Sequence, residues 1–269
     1  MPSLKSRQPV TAGARVTTRC YSPNIELHWS PSATGSEEWG VVSPALGTRD
    51  WRRIDPLPAR LSKGVKGASI PALYHWQRTI APEWVWCESQ AEKAEVMWLD
   101  FEGVFTKLWP QPFVVCFPPD VSGAVSHTPD FLGATEDGRL ALFDVRPADR
   151  IDERARRQFS LTAEVSGSLG WPYEVLSGRE TTATMNLEWL KASRHMRCAP
   201  PVDALERILI AARDGATRAE LLAIAAPQRP ERANQWVDHL AWHRMIVFDL
   251  HARLENNTIF TAASTKEHR

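Results

Sequence analysis

Two runs decide how this chain folds: His127-Thr128-Pro129-Asp130-Phe131 and Leu142-Phe143-Asp144-Val145-Arg146, with Glu136-Asp137-Gly138 between them. Both runs are rich in strand formers, and the short polar stretch is a reversal signal. Strand side chains alternate faces, so Asp144 and Arg146 share one face. If the reversal is a three-residue loop with Gly138 left-handed, Thr135 faces Arg139 and Asp130 falls opposite Asp144. A two-residue Asp137-Gly138 turn would instead send Asp130 to the other face. In the first case two carboxylates and a cation converge, a grouping that can hold Mg²⁺ against a phosphate.

Working outward, Phe131–Ala134 and Leu140–Val145 join two earlier apolar runs, Val104–Trp109 and Pro112–Phe117, as a sheet of short strands. Trp84–Glu88 is extended. Ser89-Gln90-Ala91-Glu92 then has the capping-box spacing, Ser89 as N-cap and Glu92 three residues on, and predicts a helix to about Phe101 that stops near Gly103. Asp149–Leu169 is a second helix carrying Arg150, Arg154, Arg156 and Arg157, and Gly170 ends it. Tyr173–Leu176 is a strand, parallel to an earlier one through a right-handed crossover. Helix, three strands, helix, strand describes an α/β sheet with helices on both faces.

Beyond the Arg197–Pro201 linker the pattern changes. Val202–Ala212 is an amphipathic helix. Thr217-Arg218-Ala219-Glu220 is a second capping box, opening a helix that ends before Pro227. A third helix runs from Pro230 or Glu231 to about His243. Met245–Leu250 and Ile259–Thr261 are strands joined around Asn256-Asn257. Three helices and a hairpin make a winged-helix plan. Its third helix, Glu231–His243, is not strongly basic, which leaves DNA and protein both open as its partner.

The chain has 269 residues, with 32 Lys and Arg balancing 32 Asp and Glu. That is length for one large or two modest domains, and the zero net charge does not mark the chain as an obvious bulk nucleic-acid binder. The charge is unevenly spread. Residues 1–67 hold ten Lys and Arg against five acids, whereas 83–147 hold eleven acids against four Lys and Arg. Residues 1–67, rich in Pro, Ser, Gly and Thr, read as a loosely structured basic arm with a short strand near Ile25–Trp29. The arm is either a solvated linker or a segment lying on a nucleic-acid backbone. Four scattered cysteines form no CxxC pair and indicate reduced thiols and a cytoplasmic protein. No apolar run has the length of a membrane span, so no membrane partner is expected. The twelve tryptophans are read as core and groove residues.

Each acid has a structural explanation beside a chemical one. Glu92 is complete as the capping partner of Ser89. Asp130 follows Pro129 at a strand end. Asp144 lies in an apolar strand, where a carboxylate is costly unless paired with an arginine or bound to metal. His239 and His243 share a helix face at i and i+4, but Leu240 stands where a zinc protease has glutamate. The stripe from Arg150 to Arg157 is either a solvated helix face or a DNA contact.

From about Glu83 to its C-terminus the chain resembles the TnsA family, the endonuclease subunit of heteromeric transposases. The resemblance is carried by Glu88-Ser89-Gln90-Ala91-Glu92, Gln111-Pro112-Phe113, His127-Thr128-Pro129-Asp130-Phe131 and Asp144-Val145-Arg146-Pro147, in this order. It implies a restriction-endonuclease-like core of the PD-(D/E)xK type, a mixed α/β sheet flanked by helices, over 68–197. A winged-helix-like domain over 198–269 would follow. It also implies Mg²⁺-dependent cleavage of double-stranded DNA at transposon ends, with Mn²⁺ as a substitute. Glu92, Asp130 and Asp144 match the metal-ligand positions, and Arg146 stands where lysine is usual. Arginine does not give up its proton in proteins, so a role for a neutral amine is excluded there, while phosphate binding is not. The implied partners are a TnsB-like DDE transposase and a TnsC-like AAA+ ATPase, and the implied location is a prokaryotic cytoplasm, at the nucleoid. Two alternatives accompany this expectation: an assembly subunit of the same complex with weakened or absent cleavage, and a winged-helix DNA-binding regulator.

Overall fold

The structure, a computed structural model, describes residues 26–29, 40–41, 58, 70–77, 83–117 and 126–263. Most of the basic arm therefore lies outside the described residues. The chain is mixed α/β and forms two compact units, 1–96 with 103–178, and 97–102 with 179–269.

In the first unit the strands are β1 (Glu26–Trp29), β2 (Gly40–Val41), β3 (Ala72–Trp76) and β4 (Glu83–Cys87). Helix α1 (Gln90–Glu102) follows, its end belonging to the second unit. Then come β5 (Phe105–Pro110), β6 (Val114–Cys116), β7 (Ser126–His127), β8 (Phe131–Thr135), β9 (Leu140–Val145), α2 (Glu153–Ser168) and β10 (Tyr173–Leu176). The central sheet has the order β10-β9-β8-β5. β10 runs parallel to β9 and the other pairs are antiparallel. β6 departs from the single expected sheet, joining a second one of order β2-β1-β6-β7, and β3 and β4 form a separate pair.

Local chemistry explains these elements. Asp152 caps α2 by accepting from the Ala155 backbone N–H at 2.7 Å, and Gly170, at φ 73°, terminates it. Leu132 and Ala134 of β8 and Leu140 and Leu142 of β9 cluster with Trp109, Phe113, Val165 and Trp171, so one face of the sheet packs on α2. On β8, Gly133 admits a neighbour: a Cβ there would sit 2.7 Å from the Phe105 ring, which meets Phe143 edge-on at 5.3 Å.

The second unit contains α3 (Thr181–Leu190), α4 (Val202–Ala212), β11 (Ala216–Thr217), α5 (Arg218–Ala225), α6 (Pro230–Trp242), β12 (Ile246–Val247) and β13 (Ile259–Ala262). Its sheet order is β11-β13-β12. The compact units divide at Gly178, not at the expected boundary of 197, because α3 packs against α6. Thr217 and Glu220 form the reciprocal capping box at the head of α5. β12 stops short of Leu250 because the chain is drawn away: the buried Asn186 Nδ2 donates to the carbonyls of Leu250 (2.9 Å) and Ala252 (2.8 Å).

Candidate functional site

The reversal between β8 and β9 has the three-residue form. Gly138 is at φ 85°, Thr135 N–H donates to Arg139 O at 2.9 Å, and Phe131 pairs with Phe143. One further step in that register sets Asp130 beside Asp144. The Asp130 side chain turns toward the ladder rather than standing on a face. Its Oδ2 accepts from the Val145 backbone N–H at 2.8 Å, and its own N–H donates to Phe143 O at 3.1 Å. Asp130 thus continues the pairing with β9 one residue before β8 begins.

Asp144 is buried, only 2% exposed, but its partner is not an arginine. His127 Nε2 lies 2.7 Å from Asp144 Oδ2, and the Tyr173 hydroxyl donates to the same oxygen at 2.5 Å. Gln158 Nε2 sits 2.6 Å from His127 Nδ1. One tautomer satisfies both His127 contacts, with Nε2–H donating to Asp144 and Nδ1 accepting from the Gln158 amide. Burial foremost, then the charge and hydrogen bond of Asp144 and the charge of Asp130, push the Tyr173 phenol far above its ordinary value. It therefore remains a donor.

Glu92 is 7% exposed and caps its helix. Oε1 accepts from the Ser89 hydroxyl at 2.9 Å, Oε2 accepts from the Glu88 backbone N–H at 2.6 Å, and Glu92 N–H donates back to Ser89 Oγ at 3.1 Å. The buried Cys87 thiol reports on the space between Glu92 and Asp130. Its pKa is driven up first by burial and then by Glu92, against a pull from Lys93 and with a further push from Asp130. Asp130 is therefore close enough to act on both Cys87 and Tyr173.

Arg146 does not join the acids. It is exposed, and its Nε donates to Arg150 O at 2.8 Å, closing the 3-10 turn Ala148–Arg150. Arg146 lies one residue beyond β9 and is exposed, whereas Asp144 is buried.

Among the described residues, no three His, Cys, Asp or Glu side chains lie close enough together to hold a metal ion. The donors present do not fit a three-acid centre, since both Glu92 oxygens are committed to its cap. Two carboxylates suffice for Mg²⁺ where water and a substrate phosphate complete the shell, and Asp130 and Asp144 adjoin the Phe131–Phe143 pair of the β8–β9 register. His239 and His243 each have one ring nitrogen beside a backbone carbonyl. His239 Nδ1 lies 2.8 Å from Ser193 O, and His243 Nε2 lies 2.9 Å from Arg194 O.

Sequence reasoning gave His127, Gln158 and Tyr173 no role. The only signal for His127 was its position three residues before Asp130. Tyr173 could be placed only through the parallel pairing of β10, which sets it beside Leu142.

In the second unit, Val237–Trp242 of α6 is entirely buried, and Trp189 Nε1 of α3 donates to Asp238 Oδ2 at 3.1 Å. Outside that contact α3 exposes Met185 (67%) and Trp189 (62%), beside a groove of about 640 Å³ lined also by Arg218, Arg253 and Asn256.

No protein-family model matches the chain, and no curated protein is significantly similar to it. Among the described residues, no helix is long and apolar enough to cross a membrane.

Proposed function

We propose that this chain is a Mg²⁺-dependent DNA endonuclease subunit of a heteromeric transposase, cutting strands at transposon ends. The observation that carries this reading is the placing of Asp130 beside Asp144 at the common end of β8 and β9. These are the acids on which the likeness to TnsA rests. The order α1, β5, β8, β9, α2, β10 agrees with the restriction-endonuclease-like plan. The run helix, strand, helix, helix, strand, strand from α4 to β13 agrees with the winged-helix plan.

Asp130 and Asp144 would hold the Mg²⁺, or Mn²⁺ in its place. When bound, it supplies an activated water and neutralises charge at the phosphorus. The rest falls to the chain itself. His127 and Tyr173 both pin Asp144 Oδ2. Val145 N–H fixes the Asp130 carboxylate. Glu92 holds the head of α1 in place rather than acting as a third ligand.

The C-terminal half of α6, Val237–Trp242, is covered, whereas Glu231, Arg232 and Asn234 in its first turns are exposed, so α6 leaves DNA and protein both open as the partner of the second unit. The TnsB-like transposase and the TnsC-like ATPase are the partners this reading assigns.

The position of Arg146 favours a second reading, an assembly subunit of the same complex without cleavage. Its Nε is bonded to Arg150 O rather than to Asp130 or Asp144. Excision of a donor plasmid by the purified partners in Mg²⁺ separates the two. Asp130→Asn and Asp144→Asn keep the shape of each side chain and should each lower strand cutting by about a hundred-fold or more, as loss of a metal ligand demands. Wild-type cutting by both variants defeats the nuclease reading. A gain in cutting by Arg146→Lys would show that the arginine limits an otherwise competent site.

A further inference from the structure

Five arginines fall between Arg146 and Arg157: Arg146, Arg150, Arg154, Arg156 and Arg157. All five are exposed. Among the described residues none is ion-paired, although elsewhere on the surface Arg139, Arg207 and Arg253 lie against Asp137, Asp203 and Glu255. Asp149, Asp152 and Glu153 fall within the stretch and leave it with net positive charge, and Asp152 is committed to the N-cap of α2. Unpaired guanidinium groups at this density repel one another, and a polyanion relieves that repulsion.

The group is directional. Arg154 and Arg157 are three apart on α2 and share a flank, and Gln158, four beyond Arg154, borders it. Gln158 bonds His127, and His127 bonds Asp144, so two side-chain hydrogen bonds link the arginine flank to the acid pair. Arg150, in the 3-10 turn, and Arg146, at the end of β9, continue the cations back to the strand that carries Asp144. Arg156 is two residues from Arg154, which on a helix turns it about 200° away.

We propose that Arg146, Arg150, Arg154 and Arg157 form a track for the phosphate backbone of a DNA duplex. The planar fork of arginine suits phosphate oxygens bidentately. The direction of the track, toward Asp130 and Asp144, rests on the nuclease reading. Its binding of a duplex does not.

The test is fluorescence anisotropy of a labelled duplex with the full chain, in EDTA, over a series of KCl concentrations. Arg154→Gln with Arg157→Gln should weaken binding about ten-fold and flatten the slope of log affinity against log salt by about 1.8, two phosphate contacts at roughly 0.9 each. Arg146→Gln with Arg150→Gln should act similarly. Arg156→Gln should stay near wild type, and thermal melting should show all variants folded. The track is refuted by an unchanged slope in both double variants, by an equal loss in Arg156→Gln, or by a wild type that binds an acidic peptide and not the duplex. Arginine-dependent binding by a chain that never cuts with its partners would uphold the track and remove the nuclease reading.

Discussion

His127 Nε2 lies 2.7 Å from Asp144 Oδ2, so the buried carboxylate is paired by a histidine, a partner outside the two alternatives of arginine or metal. A hydrogen bond to a buried carboxylate contributes about 1.5–3 kcal/mol net, and its loss leaves the charge underpaired. His127→Ala should therefore destabilise the first unit by that amount in urea unfolding, with Tyr173 still holding Oδ2. His127→Gln carries an N–H donor at a similar reach and should recover most of the loss. Equal stability for His127→Ala and wild type would mean that the bond contributes nothing.

Glu92 separates the cap from a ligand role. Its two oxygens accept from two different donors, Ser89 Oγ–H and Glu88 N–H. A glutamine keeps one acceptor and turns an N–H₂ toward the other donor. Glu92→Gln should cost about 1–2 kcal/mol of stability, the range of a lost N-cap with a donor left facing a donor. If Asp130 and Asp144 alone hold the ion, strand cutting by this variant should remain within about ten-fold of wild type at a temperature where it is folded. A collapse of cutting with intact folding would restore Glu92 as a ligand.

Gly133 is required by the ring that lies over it. A Cβ at this position would meet Phe105 Cδ1 at 2.7 Å, and Phe105 cannot withdraw freely because it is packed edge-on against Phe143. Gly133→Ala should cost about 1–3 kcal/mol through overpacking. Adding Phe105→Leu should return part of that loss, a coupling that a double-mutant cycle would measure.

The central hairpin was legible because its turn chemistry and its strand pattern agree. Gly138 fixed the loop form, and the loop fixed the register of Asp130 and Asp144. The capping box of α5 and the ends of β9, β10 and α4 could be read for the same reason, since local signals suffice there. Helix α3 could not, because its N-cap is Glu180, a residue outside the usual capping set, which accepts from the N–H groups of Thr182 and Ala183. The partners of Asp144 were hidden because they come from β7 and β10, and only the fold brings those strands to β9. The bond from Arg146 Nε to Arg150 O was hidden because the 3-10 turn Ala148–Arg150 has no signal in the strand pattern.

His239 makes the stability of the second unit pH-dependent. It is buried, 4% exposed, and burial lowers its pKa, against the raising effect of the Ser193 and His195 carbonyls. The folded chain therefore favours neutral His239, while the unfolded chain titrates near the ordinary value of about 6.5. Between the depressed folded pKa and about 6.5 the unfolded state binds more protons, so stability rises with pH. The contribution is fully present above about pH 6.5 and is lost as pH falls through the folded pKa. Thermal melting from the acid side to neutrality should show wild type losing stability below that point more steeply than His239→Gln. Glutamine can still donate to Ser193 O but has no charge to acquire. Parallel melting curves for the two chains would mean that the acid sensitivity arises at other groups.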